Sequence, residues 1–162
     1  MPDNPYTSLH TRLADELAGL ERVARGLETA LLEHGGAEPD EFALRALASY
    51  IDDVYTGCER LCERVAVTLD GGVPQGARWH QVLLGQMGEP GGGGRPPVFG
   101  GLVLLALDEY RRFRHRVRHI YGYELETARG LTLALGVQPL LARVQQACEA
   151  FSVWLASQTR DT

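Results

Sequence analysis

Residues 40–69 read DEFALRALASYIDDVYTGCERLCERVAVTL. The apolar side chains of this stretch recur three and four residues apart, which is the spacing of one face of an α-helix. They are Phe42, Leu44, Leu47, Tyr50, Ile51, Val54, Tyr55, Cys58, Leu61, Cys62 and Val65. Gly71 and Gly72 follow and supply a stop. The pattern predicts a long helix from Asp40 to Leu69 that buries its stripe against other helices.

The same periodicity predicts four further helices, at about residues 8–34, 77–87, 100–120 and 137–158. Three glycines interrupt residues 121–136, so the sequence pattern predicts neither a helix nor a strand for this segment. No segment alternates apolar and polar residues over the length of a strand. The sequence therefore predicts an all-α fold, an up-down bundle of four to five helices.

A segment rich in Gly and Pro, residues 88–98, interrupts the helical pattern. The helices on both sides have apolar stripes that need a common core, so we interpret the segment as a flexible surface loop and not as a domain linker. A chain of 162 residues fits one domain of ordinary size. We expect a single helical domain over residues 1–162.

The charge of the chain is unevenly distributed. The formal net charge is −5, yet all sixteen basic residues are Arg and five of them fall within residues 111–118. The N-terminus has neither the basic region nor the apolar region of a signal peptide, and the longest apolar run, Leu102 to Leu107, is too short to cross a bilayer. We expect a cytoplasmic protein without membrane association, acidic apart from one strongly basic segment.

Three cysteines, Cys58, Cys62 and Cys148, make an odd number without a secretory signal, which argues against a disulfide framework. Cys58 and Cys62 would share one face of a helix, so a metal pair is one interpretation. No cluster of further Cys or His residues completes a tetrahedral site. Buried thiols that act as small apolar side chains are the favoured interpretation, and we expect no metal and no cofactor.

The basic segment is the candidate functional site. Arg114, Arg118 and Tyr121 are spaced i, i+4 and i+7, so they share a helical face beside the apolar stripe. Arg111 lies one turn earlier on the same face, and His115 flanks this face. Arginine pairs bidentately with phosphate oxygens, and imidazole moves protons near neutral pH. This combination of side chains is therefore suited to a phosphodiester substrate. The alternative is an Arg-rich face that is simply solvated or paired with acidic residues elsewhere in the chain.

The spacing Arg114-x-x-x-x-His119-x-Tyr121 resembles the R-x4-H-x-Y motif of the HEPN superfamily, and specifically its branch of HepT-like toxins. Phe113 before the arginine, a polar residue (His115) after it, and the Ile-Tyr-Gly run of residues 120–122 are also similar to that family. The likeness extends over about residues 40–155. The motif lies late in a short all-α chain, at the end of a long helix, as in the family.

The resemblance implies a metal-independent endoribonuclease. The ribose 2′-OH is the nucleophile, His119 assists the proton transfers, and Arg114 stabilises the charge that builds on the phosphorus. The products would carry 2′,3′-cyclic phosphates. Arg111, His115 and Arg118 are the expected RNA-binding residues.

The resemblance also implies two kinds of protein partner. Residues five apart on an ideal helix point about 140° from each other, so Arg114 and His119 converge only if the helix distorts or two subunits pool their motifs. HEPN proteins are typically two-fold dimers, and we expect a homodimer. HepT-like toxins are commonly neutralised by an MntA-type nucleotidyltransferase antitoxin that attaches AMP to the motif tyrosine, here Tyr121.

Two alternatives remain open. One is a non-catalytic HEPN-like helical module that binds a nucleotidyltransferase or nucleotides. The other is a nucleic-acid-binding protein that uses its basic helix, for which the acidic remainder is a poor platform. Outside the motif, Trp79 and His80 are candidates for stacking on RNA, although a packed Trp with a His at its rim is the favoured interpretation.

Overall fold

A computed structural model of the protein describes residues 3–34, 36, 38–119 and 127–160. These residues form six α-helices, one short 3₁₀ turn at Gly92–Gly94, and no strand. The helices are α1 (Pro5–His34), α2 (Glu41–Leu69), α3 (Trp79–Met87), α4 (Gly101–His119), α5 (Thr127–Leu135) and α6 (Val137–Gln158). The predicted all-α helical bundle is confirmed.

Helix α2 is the central element and packs against each of the other five helices. Ile51, Val54, Tyr55, Cys58 and Val65 are completely buried along it. Each such apolar side chain stabilises the fold by roughly 1.5–3 kcal/mol relative to an exposed position. The exposed side of α2 has most of its polar residues, whereas Asp52 and Glu59 contact side chains of α4 and α3.

Local chemistry explains where α2 begins and how closely α1 approaches it. The Asp40 carboxylate accepts a hydrogen bond of 2.8 Å from the Ala43 backbone N–H, which caps the first turn. At Gly57 a β-carbon would lie 2.5 Å from Leu20 Cδ2 on α1. Glycine is required there because the two helices cross in close contact.

The structure corrects three details of the sequence prediction. Residues 127–135 form an additional helix, so the described chain has six α-helices and not four or five. Phe42 was expected in the apolar stripe, but it is 85% exposed in the first turn of α2. Helices α1 and α3 begin at Pro5 and Trp79 and not at residues 8 and 77. The three cysteines are buried, as the favoured interpretation expected.

The Gly/Pro segment is anchored by one buried arginine. Arg95 is only 1% exposed, and its guanidinium forms a bidentate pair with Asp70, at 2.7 Å for both bonds. It also donates to the carbonyl oxygens of Gln86, Glu89 and Pro96. Asp70 accepts a further bond from the Gly92 N–H. The end of α2, the end of α3 and the Gly/Pro segment are thereby tied together.

Replacing this anchor should destabilise the fold strongly. Arg95→Met removes the ion-pair partner of Asp70, which keeps only its bond from the Gly92 N–H, and the donor to three carbonyl oxygens. Breaking a buried ion pair costs about 3–5 kcal/mol. Arg25→Met, at an exposed arginine of α1, should change the free energy of unfolding by less than about 0.5 kcal/mol. Urea unfolding followed by circular dichroism measures both.

The same anchor predicts a dependence on pH. Burial alone would raise the pKa of Asp70, but the hydrogen bonds from Arg95 and Gly92 lower it overall. The stabilisation is present above the unfolded pKa, about 3.9, and is lost as the pH falls through the lower folded value. Arg95→Met should therefore lose less stability than the wild type on acidification. Equal stability of Arg95→Met and Arg25→Met at neutral pH would contradict the anchor.

Candidate functional site

The basic residues lie along α4, which buries Val103, Leu107, Tyr110 and Phe113 against the core. These four residues form the apolar stripe beside which the basic residues were expected to lie. The predicted helix was expected to end at about residue 120, and Ile120 lies outside the described residues. Arg114 follows Phe113 directly, so its side chain emerges at the edge of the buried face, beside α2.

Asp52 of α2 is the partner that holds the arginines. Arg114 Nε donates to Asp52 Oδ1 at 2.6 Å, and Arg118 Nη2 lies 3.3 Å from Asp52 Oδ2. Arg114 is largely enclosed, with 15% of its side chain exposed, whereas Arg118 is mostly exposed. Because Asp52 bonds to the Nε edge of Arg114, the terminal nitrogens of that guanidinium can pair with a phosphate.

Tyr55 supplies the second contact to Arg114. The guanidinium carbon lies 5.3 Å from the centroid of the Tyr55 ring, within range of a cation–π interaction. Asp52 and Tyr55 are three residues apart and share a face of α2. One helix thus contacts Arg114 both at the Nε edge and over the face of the guanidinium.

His119 has a different environment. Its Nδ1 lies 2.7 Å from the carbonyl oxygen of His115, and the two imidazole rings are 4.2 Å apart. A carbonyl oxygen only accepts, so Nδ1 carries the proton and Nε2 is the atom left to exchange protons with a substrate. Both histidines are exposed. Nothing in the described chain links His119 to Arg114, and α4 extends through His119, so the two side chains do not meet in one chain.

The remaining arginines of the segment are partly paired. Arg111 and Arg112 both contact Asp108, at 2.8 and 2.9 Å. Pairing with acidic residues, the alternative considered from the sequence, therefore accounts for part of the basic face. Two aspartates facing four arginines still leave an excess of positive charge, which a phosphate chain can neutralise.

Sequence reasoning did not find Asp52 or Tyr55. Both lie about sixty residues before the motif in the chain, and Tyr55 was taken only as a core residue of the apolar stripe. The one available signal was a pair of adjacent carboxylates, Asp52 and Asp53, interrupting an apolar stripe. Tyr121, the predicted modification site, lies outside the described residues.

The described residues were considered as a possible metal site and as a possible membrane span. No group of three or more His, Cys, Asp or Glu side chains there is arranged to hold a metal ion. In the same part of the chain, no helix is both long and apolar enough to traverse a bilayer.

The part of the chain that matches a known family includes the residues of the candidate site. A family model described as HepT-like protein matches residues 46–155. The chain belongs to the HepT-like family. No curated protein and no solved structure matches the sequence significantly.

Membership of the HepT-like family places the protein in the HEPN superfamily, with modules of the toxin type that are typically ribonucleases. The matched region contains all of α4 and all but the first five residues of α2, with Asp52 and Tyr55 near its start and Arg114 and His119 in its second half. The features that position Arg114 are thus within the HepT-like region of the chain.

Proposed function

We propose that this HepT-like protein is a metal-independent endoribonuclease toxin, with Arg114 and His119 as its catalytic residues. The observation that carries the proposal is the seating of Arg114. An arginine held at its Nε edge by Asp52 and over its face by Tyr55 keeps its terminal nitrogens free for an anion. Arg118 adds a second positive charge beside it, and Arg111 and His115 extend the contact with the RNA chain.

The proposed reaction is a transesterification within the RNA. The ribose 2′-oxygen forms a bond to the phosphorus as the bond from phosphorus to the 5′-oxygen breaks. The proton leaves the 2′-hydroxyl and a proton reaches the departing 5′-oxygen, with His119 Nε2 assisting these transfers. Arg114 stabilises the additional negative charge on the phosphoryl oxygens. No cofactor takes part.

A homodimer completes this proposal. Arg114 and His119 lie apart on one regular helix, so a second copy is the simplest source of the missing partner in each cleft. Leu102 and Leu105, near the start of α4, are 68% and 69% exposed and leave an apolar surface available. We propose a two-fold dimer in which the motifs of both chains line one groove.

The antitoxin is the second proposed partner. A nucleotidyltransferase that attaches AMP to Tyr121 would place phosphates close to Arg114 and Arg118, because Tyr121 follows them by seven and three residues in the chain. Charge-assisted bonds from those guanidiniums to the adduct would occupy the RNA phosphate site.

A second candidate function is a non-catalytic module that binds a nucleotidyltransferase. It is favoured by the pairing of Arg114 and Arg118 with Asp52, which neutralises part of their charge before any RNA binds. Cleavage assays on purified protein separate the two functions.

Removing either catalytic residue should abolish cleavage without unfolding the protein. Arg114→Ala loses the charge that stabilises the transition state, and His119→Ala loses the proton carrier, so each should reduce cleavage of total RNA by at least about 100-fold. The matched control is Arg112→Ala, an exposed arginine of the same helix that should retain activity. Gel analysis measures cleavage, and circular dichroism confirms the helical fold.

Mixing the two inactive variants tests the dimer in the same assay. If each cleft takes residues from both chains, heterodimers of Arg114→Ala and His119→Ala should recover part of the activity. Full activity of either single variant, or loss of activity in Arg112→Ala alone, would contradict the assignment.

The switch is tested on the tyrosine itself. Incubation with a cognate nucleotidyltransferase and ATP should add AMP to the protein and abolish ribonuclease activity, as followed by mass spectrometry and RNA cleavage. Tyr121→Phe should escape both effects while keeping ribonuclease activity, whereas Tyr123→Phe should be silenced normally. An unmodified Tyr121→Phe without any activity would show that the phenol is needed for folding or catalysis, and the switch would be rejected.

A further inference from the structure

A buried chain of polar side chains lies behind Arg114. The Tyr55 hydroxyl donates to Glu59 Oε2 at 2.7 Å, and the same oxygen accepts a bond from His80 Nδ1. The His80 ring stacks on Trp79 at a centroid distance of 3.7 Å. We call these four residues, Tyr55, Glu59, His80 and Trp79, the Tyr55 network. It joins α2 to the first turn of α3.

The α2 end of the Tyr55 network is buried, so its polar atoms need hydrogen-bond partners, whereas His80 at the other end is 33% exposed. Tyr55 is completely buried and Glu59 is only 5% exposed. A buried carboxylate is costly unless donors surround it, and a buried phenol needs an acceptor. Burial and the bond to Glu59 also raise the pKa of Tyr55, so the phenol stays protonated and donates. Tyr55 and His80 both donate hydrogen bonds to Glu59, and these bonds restrain the orientations of the three side chains.

This arrangement is directed at Arg114. One end of the Tyr55 ring is fixed by its hydroxyl bond to Glu59, one turn further along α2, and the ring face lies beneath the guanidinium. If the hydroxyl lost its acceptor, the ring would lose the bond that fixes its orientation. Asp52 would then hold the guanidinium by the Nε edge alone, without a fixed surface behind it.

We propose that Tyr55 and Glu59 are positioning residues for Arg114, and that His80 secures the far end of the same chain. The ring of Tyr55 orients the guanidinium, Glu59 orients the ring, and His80, stacked on Trp79, orients Glu59. The catalytic consequence rests on the proposed ribonuclease function; the positioning itself does not. A displacement on the order of 1 Å at a catalytic group can reduce a rate by up to ~100-fold.

The first arm of the test measures cleavage of a defined RNA. Tyr55→Leu and Glu59→Leu should each lower kcat by about tenfold or more with little change in KM, because the lost effect is on the transition state. Glu59→Gln should recover most of the rate, since its amide oxygen can still accept from Tyr55. Tyr110→Phe is the matched control: it removes another buried hydroxyl, bonded to the Leu133 carbonyl oxygen, and should keep the wild-type kcat.

The second arm observes Arg114 without reference to activity. In a nitrogen-15 spectrum the Arg114 Nε–H signal, assigned by its loss in Arg114→Lys, should exchange slowly with water because it is bonded to Asp52. Tyr55→Leu and Glu59→Leu should accelerate that exchange by about tenfold, and Glu59→Gln and Tyr110→Phe should not. If the wild type cleaves no RNA, the proposed function fails and this arm alone decides the positioning proposal.

A double variant keeps the proposal testable if Tyr55→Leu does not fold. Tyr55→Phe retains the ring and loses only the hydroxyl, so combining it with Glu59→Leu should lower kcat no further than Glu59→Leu does, since both remove the same bond. Losses that multiply would overturn the proposal. So would variants that are less stable to heat but retain the wild-type kcat and slow Nε–H exchange, which is the result expected of a merely structural network.

Discussion

The contact between Asp52 and Arg114 is the interaction on which the account of the site depends. It crosses from the central helix α2 to α4 and holds Arg114 at the edge of the buried face. Because Asp52 also reaches Arg118, a single carboxylate organises two positive charges. The remaining arginines of the segment pair within α4 itself or face solvent, so they are less restrained. The contacts that set Arg114 apart from the neighbouring arginines thus come from α2.

That role of α2 follows from how thoroughly the helix is buried. Five helices pack on it, and twelve of its 29 residues are buried. A polar side chain on the buried part of such a helix has few possible orientations and needs a hydrogen-bond partner nearby. Asp52 finds Arg114, and Glu59 finds Tyr55 and His80. The packing that makes α2 the core of the bundle also places Asp52 beside α4 and Glu59 beside α3.

The sequence was informative where local rules operate. Helical periodicity and terminal glycines placed α2 and α6 almost to the residue, and the motif spacing pointed to the family that the HepT-like match confirms. Long-range docking was beyond those rules. Phe42 has the correct spacing for the stripe, yet its place in the first turn of α2 leaves it exposed. Asp52 and Arg95 likewise acquire their roles only through residues 62 and 25 positions away, which no periodicity encodes.

The positions of Arg114 and His119 show how far local reasoning reaches in the site itself. The helical period indicates that they diverge, and α4 is regular through His119, with that imidazole bonded to its own helix. If Arg114 and His119 have the proposed catalytic roles, their separation within one chain fits the proposed site shared by two copies. In such a site Arg114 is supported by its own α2, and only the imidazole has to come from elsewhere.

The most direct test of the central claim, cleavage by the RNA's own 2′-hydroxyl at the Arg114 site, is the chemistry of the cut ends. Purified protein is incubated with a labelled RNA in the presence of EDTA, and the product termini are identified by mass spectrometry. We predict undiminished cleavage with 2′,3′-cyclic phosphate and 5′-hydroxyl ends. An RNA with a 2′-deoxy sugar at the cut site should not be cleaved. Products with 5′-phosphate ends, or cleavage that EDTA abolishes, would contradict it.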